Sequence, residues 1–210
     1  MSLEIRWIGH ASFRLAADDV VLYIDPWKLS SAKPDANLVF VSHSHFDHCS
    51  AEDVAAVSQD TTTVIGPADS VESLPGGRVL KPGDRTEAAG VCIDGIRAYN
   101  VDKDFHPKAN DWLGAVITLE GTRVYYAGDT DQIPEMGELS EVDVALLPVG
   151  GTYTMNAAQA AEACRAIRPR MAVPYHWGDI VGTESDARAF ADATAGCDVR
   201  LLRPGEAVSV

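Results

Sequence analysis

Leu38-Val39-Phe40-Val41-Ser42-His43-Ser44-His45-Phe46-Asp47-His48 joins an unbroken apolar run to a dense group of imidazole and carboxylate side chains. A continuous run such as 38–42 is the pattern of a strand buried on both faces. Three histidines and an aspartate follow at once, so they leave the end of a core strand together, where side chains converge on a cleft. Imidazole nitrogen and carboxylate oxygen are the donors that zinc and comparable divalent ions take. On extended chain, His43 and His45 project to the same side. Asp47 and His48 come after the chain turns toward a helix, which aims them at a second position nearby. The spacing predicts two adjoining cation positions.

Working outward, Ser50 with Asp53 three residues later is a capping-box start for a short helix. Upstream, 3–8, 12–16 and 20–24 are short apolar or alternating runs that read as strands. Downstream, 62–66 is another strand, followed by a short helix over 68–73 and strands over 78–80 and 91–98. Residues 115–119 and 123–127 flank Glu120-Gly121-Thr122 and read as a hairpin. A buried strand is expected over 142–148. The segment 157–167 places Ala157, Ala160, Ala161, Cys164 and Ile167 on one helical face, with Pro169 just past its end. A strand over 171–175, a helix over 184–194 between Thr183 and Gly196, and a last strand over 198–202 complete the pattern. Residues 99–114 carry no period and are expected to form a lid or active-site loop. The sum is an α/β chain with two packed sheets, helices outside, and one domain over 1–210.

Composition narrows the function. Seventeen basic against 31 acidic residues give a net charge of −14, which disfavours nucleic acid and anionic lipid as partners. The four cysteines, Cys49, Cys92, Cys164 and Cys197, are scattered without a CxxC pair, as expected of reduced thiols in a cytoplasmic protein. Glu4 and Arg6 interrupt the N-terminus where a signal peptide needs an apolar region, and no run approaches the roughly 18 apolar residues of a membrane span.

His-x-His-x-Asp-His after an apolar strand resembles the signature of the metallo-β-lactamase superfamily. More narrowly, the chain is similar to that superfamily's small bacterial and archaeal metal-dependent hydrolases, the group that includes L-ascorbate-6-phosphate lactonase. Beyond the His43–His48 motif, the resemblance rests on Gly9-His10-Ala11-Ser12, Ile24-Asp25-Pro26-Trp27, Ala127-Gly128-Asp129-Thr130, Leu147-Pro148-Val149-Gly150 and Pro174-Tyr175-His176, in that order along nearly the whole chain. It implies a four-layer αββα sandwich with a metal centre at one edge between the sheets.

By the same resemblance, His43 and His45 match ligands of a first metal, and Asp47 and His48 ligands of a second. Asp129 matches the carboxylate that bridges them, and His176 the last histidine of the second position. Both Asp129 and His176 also follow apolar runs, although a turn aspartate and a loop histidine are the plainer readings of each alone. The chain departs from the family at Ala98-Tyr99-Asn100, where a third imidazole of the first position is expected and asparagine stands instead. His106 is the candidate substitute, with substrate contact or a plain loop role as alternatives. Asp25 is a candidate to orient a ligand histidine, and His10 to line the same edge. Cys49 reads as a plain thiol under a helix start. Thr152, Tyr153 and Thr154 either line the cleft or cap the next helix. Lys103 and Lys108 either meet an anionic substrate or stay solvated.

The function expected is hydrolysis of a small ester, lactone or phosphodiester by a metal-activated hydroxide. Asp47 would orient the nucleophile and accept its proton, and His106 or Tyr99 would assist the leaving group. Histidine at position 45, where flavodiiron relatives carry a carboxylate, favours two zinc ions, with manganese, nickel and iron as alternatives. The competing readings are a nuclease, and a metal-binding scaffold or regulatory protein without turnover. A homo-oligomer is left open.

Overall fold

A computed structural model describes residues 2–210. The first sheet comprises β1 (Glu4–Gly9), β2 (Ser12–Ala17), β3 (Val20–Ile24), β4 (Ala36–Phe40), β5 (Ser58–Gly66) and β6 (Gly77–Val79), and β14 (Ala207–Ser209) returns to pair with β1. The second comprises β7 (Arg85–Ala88), β8 (Val91–Arg97), β9 (Leu113–Leu119), β10 (Thr122–Tyr126), β11 (Val144–Pro148), β12 (Met171–Tyr175) and β13 (Asp198–Val199). Helices α1 (Ala51–Val57) and α2 (Ala68–Val71) accompany the first sheet, and α3 (Ala157–Ile167) and α4 (Glu184–Ala193) the second.

Three buried clusters correspond to the three interfaces of this stack. Trp7, Phe13, Leu15, Phe40, Ile117 and Tyr126 fill the space between the sheets. Val39, Val54, Val57 and Val71 seal α1 and α2 onto the first sheet. Ala145, Ala160, Cys164, Ile167 and Phe190 seal α3 and α4 onto the second. The result is the αββα sandwich expected from the sequence, with the predicted face of α3 turned inward.

Local chemistry sets the boundaries. Ser50 accepts from the Asp53 N–H at 3.2 Å, but the Asp53 carboxylate turns away from the reciprocal bond and accepts from the N–H groups of Lys28 and Leu29 instead. Asn156 and Gln159 make the full reciprocal cap of α3, so Thr152–Thr154 are not its caps. Glu120 and Gly121, with φ of 49° and 78°, form the tight turn between β9 and β10. Two strands escape the sequence pattern: β7 is a polar edge strand, and β14 is short and pairs only with β1. The strand expected over 198–202 is confined to β13. The segment 99–114 has no long regular element before β9, but it folds inward, burying Tyr99, Asn100 and His106.

Strand direction positions the site. In the first sheet β1, β3 and β4 run parallel to one another, and in the second β8, β10, β11 and β12 do. The residues that follow their C-terminal ends gather at one edge of the sandwich, where open α/β sheets commonly place ligands.

Candidate metal centre

His10 follows β1, Asp25 follows β3 and the His43–His48 stretch follows β4. Asn100 and His106 lie beyond β8, Asp129 beyond β10 and His176 directly after β12. His10, Asp25 and His176 have φ of 46°, 42° and 63°, a left-handed conformation that costs a non-glycine residue about 1–2 kcal/mol. Their neighbours hold them there. The His10 carbonyl accepts from Trp7 Nε1 and from the His176 N–H, each at 3.0 Å, and the Asp25 N–H donates to Phe40 O at 2.9 Å. Strained backbone of this kind turns side chains sharply off the strand ends and tends to mark functional sites.

Within the motif, the His48 and Cys49 N–H groups both donate to the His45 carbonyl, closing a turn that swings Asp47 and His48 away from His43 and His45. Two groups of donors result. In one, His43, His45 and His106 offer ring nitrogens within 4.8 Å of one another. In the other, ring nitrogens of His10, His48 and His176 and a carboxylate oxygen of Asp47 lie within the same distance. Asp129 stands between them. Its Oδ2 lies 3.4 Å from His106 Nε2 and 3.1 Å from His176 Nε2, and its Oδ1 lies 3.4 Å from His48 Nε2. The structure thus brings together His43, His45, Asp47, His48, Asp129 and His176, the six residues read as ligands in the sequence, and sets His106 beside them.

Asn100 is the residue whose part the sequence conceals. Its side-chain oxygen accepts from both the backbone N–H and the Nδ1–H of His106, each at 3.0 Å, while its amide donates to Tyr153 O at 2.9 Å. Asparagine at the family's histidine position is therefore no weak ligand. It grips the histidine six places on and turns that ring toward Asp129. The resemblance marks Asn100 as a departure and His106 as a candidate substitute, but nothing in the sequence signals that the two bond to each other.

Partners also fix which nitrogen faces the centre. Asp25, fully buried, accepts from the Ser42 N–H, Ser42 Oγ, Tyr126 Oη and His48 Nδ1 at 2.5–2.7 Å, leaving His48 Nε2 to point inward. Because the Ser42 hydroxyl donates to Asp25, it accepts from His43 Nδ1 at 2.9 Å, which leaves His43 Nε2 facing His45 Nδ1 at 3.0 Å. Asn100 acts likewise on His106. At the other end, His10 Nε2 lies 3.0 Å from Asp47 Oδ2 and holds that carboxylate in place.

Two glycines allow the close approach. Gly128, φ 68°, leaves no room for a Cβ against Leu113 O and turns the chain into Asp129. A Cβ on Gly150 would lie 2.4 Å from His176 O and 3.1 Å from its Nδ1.

Electrostatics follow from this burial. Burial, helped by the neighbouring His48, pushes the His43 imidazole well below its ordinary pKa, and burial lowers His45 and His10 as well. For His48 burial acts in the same direction, but Asp129 and Asp25 outweigh it and hold the pKa well above the ordinary value. Burial would raise Asp129, yet His176 and His48 keep it well below the usual carboxylate range. Asp47 is likewise lowered, burial being overcome by His10 and His48.

The donor set fits cations. Buried His48 Nε2, His106 Nε2, His176 Nε2 and Asp129 Oδ1 have no hydrogen-bond partner, although they face one another at close range. Leaving such groups unsatisfied costs about 1–3 kcal/mol each unless something else meets them, and nitrogen and oxygen donors gathered in this way suit divalent ions. Cys49 is not among them: its thiol points to Ser70 O. Lys103 and Lys108 are bound to Asp131 and Glu135.

Comparison with known proteins gives the family. The β-lactamase superfamily domain matches residues 4–176. A UPF0173 metal-dependent hydrolase of Nitratidesulfovibrio vulgaris is 34% identical over 235 aligned positions, covering 100% of this chain and 96% of the relative. One from Thermococcus onnurineus is 31% identical, covering 97% and 98%. Among solved structures, a metal-dependent hydrolase of Parabacteroides distasonis superposes with a TM-score of 0.85 at 35% identity, covering 97% of this chain and 94% of that one. The metallo hydrolase Igni18 of Ignicoccus hospitalis gives a TM-score of 0.81 at 28% identity, covering 100% and 99%. The chain belongs to the β-lactamase superfamily, within its UPF0173 family of metal-dependent hydrolases.

Proposed function

We propose that the centre holds two divalent ions, zinc foremost, and that the protein uses them to hydrolyse a small ester, lactone or phosphodiester. One observation carries this reading: the inward nitrogens of three histidines and an oxygen of Asp129 are buried close together without hydrogen-bond partners. His43, His45 and His106 would hold the first ion, Asp47, His48 and His176 the second, with Asp129 shared. Imidazole-rich donors suit zinc, and manganese, nickel and iron are the alternatives. Bound there, divalent ions lower the pKa of water from about 15.7 to ~7 and polarise the bond under attack.

The chain's own residues do the rest. His10 keeps Asp47 turned to the centre. Asp47, held below the usual carboxylate range, is ionised near neutral pH and able to orient the nucleophile and take its proton. His106 has one nitrogen engaged by Asn100 and the other facing Asp129, which supports a ligand role over proton donation to the leaving group. The four cysteines are free, in keeping with a reducing, cytoplasmic setting, and no helix among the described residues is long and apolar enough to cross a membrane.

Metal analysis followed by an ester, lactone and phosphodiester panel tests this. Two ions per chain are expected, with hydrolysis of at least one class lost to a chelator and restored by metal. Full turnover by thoroughly stripped protein would refute it.

A further inference from the structure

Among the described residues, the large hydrophobic side chains left exposed are not scattered evenly. Val79 and Leu201 lie on other segments; the remaining four are Phe46, 70% exposed, Val101, 65%, Phe105, 47%, and Ile180, 38%. Each sits on a loop that carries the centre: Phe46 lies between His45 and Asp47, Val101 follows Asn100, Phe105 precedes His106, and Ile180 is four places after His176. Single exposed hydrophobics are ordinary, but a group around one opening marks a binding surface. Phe46 packs edge-on against Trp27 at 5.9 Å, and Trp27 against His10 at 5.2 Å, an aromatic path from solvent to the centre. On the side of His106, Phe105 packs against Tyr153 at 4.7 Å. Beside Trp27 a cleft of about 380 Å³ is lined by Ile8, His10 and Trp177 and by the Lys28–Asp179 pair.

Charge points the same way. The lysines on these loops are already engaged. Lys28 lies 3.0 Å from both Asp179 oxygens and 4.2 Å above the Trp27 ring. Lys103 is bound to Asp131, and Lys108 to Glu135. With a net charge of −14 there is little to attract an anionic tail.

We infer that the substrate is neutral away from its reacting bond and carries an apolar chain that lies against Trp27, Phe46 and Phe105. This rests on the hydrolase reading of the same centre. The occupant is a substrate chain because the apolar residues alternate along the sequence with those that face the centre.

The test uses the metal-loaded protein with p-nitrophenyl acetate, butyrate and hexanoate, and with the p-nitrophenyl half-ester of adipate, which places a carboxylate at the far end of the same chain. Half-burial of each added methylene corresponds to about a twofold gain. The hexanoate:acetate ratio of kcat/KM should therefore reach about tenfold, and the adipate half-ester should fall at least about tenfold below hexanoate. Phe46→Ser combined with Phe105→Ser should bring the hexanoate:acetate ratio close to one.

Binding gives a second readout: tryptophan fluorescence should show hexanamide binding about tenfold tighter than acetamide. Metal-dependent acetate hydrolysis without a gain in chain length would overturn the inference and leave the hydrolase reading standing. No turnover of any ester, with hexanamide still preferred, would do the reverse. An adipate half-ester as good as hexanoate would overturn it. So would a dimer in sedimentation that Phe46→Ser dissolves, since the patch would then serve self-association.

Discussion

Replacing Asn100 by leucine isolates the feature on which the proposed first metal position depends. Asn100 and His106 are both buried, and the asparagine oxygen accepts from two His106 donors, its N–H and its Nδ1–H, each at 3.0 Å. A leucine of similar bulk leaves both unpaired. At about 1–3 kcal/mol for each buried unsatisfied group, stability should fall by about 2–6 kcal/mol. For a chain of this length that is a drop in Tm of roughly 5–20 °C. The freed imidazole also loses its fixed orientation, and removal of such a supporting bond weakens metal binding by about 10–100-fold. Competition against a chromophoric chelator reads the affinity of each ion, and Asn100→Asp is the control, since it keeps an acceptor for both donors. It should hold the affinity within about threefold while giving up the bond to Tyr153 O. If Asn100→Leu kept both affinities while His43→Ala lost one ion, Asn100 would have no part in placing His106.

Gly150→Ala should lower the affinity of the second ion at least about tenfold and cost about 1–3 kcal/mol of stability, because its Cβ would press on His176; metal titration and thermal melting check this. Asp25→Leu strips the acceptor from Ser42, Tyr126 and His48 at once, so a loss above about 3 kcal/mol is expected, seen as a lowered denaturant midpoint. His48, held well above its ordinary pKa of 6.5 in the metal-free protein, keeps a proton at pH 7 that a metal ion must displace. Binding should thus release protons, and affinity should climb as pH rises from 6.5 toward the elevated pKa; calorimetry in buffers of different ionisation enthalpy measures the release, and none at pH 7 would contradict the assignment. Burial lifts the Cys49 thiol up to about 11, so at pH 8 its thiolate fraction is about one in a thousand and iodoacetamide should modify it far more slowly than a free thiol.

The strands that carry the site were legible because they are buried on both faces and need no partner pattern to declare themselves. Val39, Phe40 and Val41 are fully buried, as are Val144 to Leu147, and both runs are continuous in the sequence. The two missed strands fail for the opposite reason. Arg85–Ala88 is held by its ladder to β8 and by the Arg85–Asp94 ion pair, and Ala207–Ser209 by its ladder to β1. Neither buries enough apolar surface of its own to leave a period. The hairpin at Glu120-Gly121 was readable because its turn demands two left-handed residues, which glycine advertises.

The site divides along the same line. His43, His45, Asp47 and His48 announce themselves by density, since few other arrangements place so many donors next to a core strand. His106 and Asn100 do not, because their partnership closes across six residues of irregular chain and exists only once His106 N–H and Nδ1 both meet one amide oxygen. His10 and Asp25 were visible as polar residues at strand ends, but their importance depends on left-handed backbone that neither residue type signals. What unites them is direction. An apolar run shows in the sequence without revealing which way its strand points in the sheet. Chemistry collects only after those strands whose C-terminal ends share one edge: β1, β3 and β4 in one sheet, β8, β10 and β12 in the other. β2 and β9 run the other way, and the residues that follow them, Asp18 and Glu120, are turn residues at the far end. The polar residue after a buried strand is therefore a candidate for function only when topology returns that strand end to the edge where His43 lies.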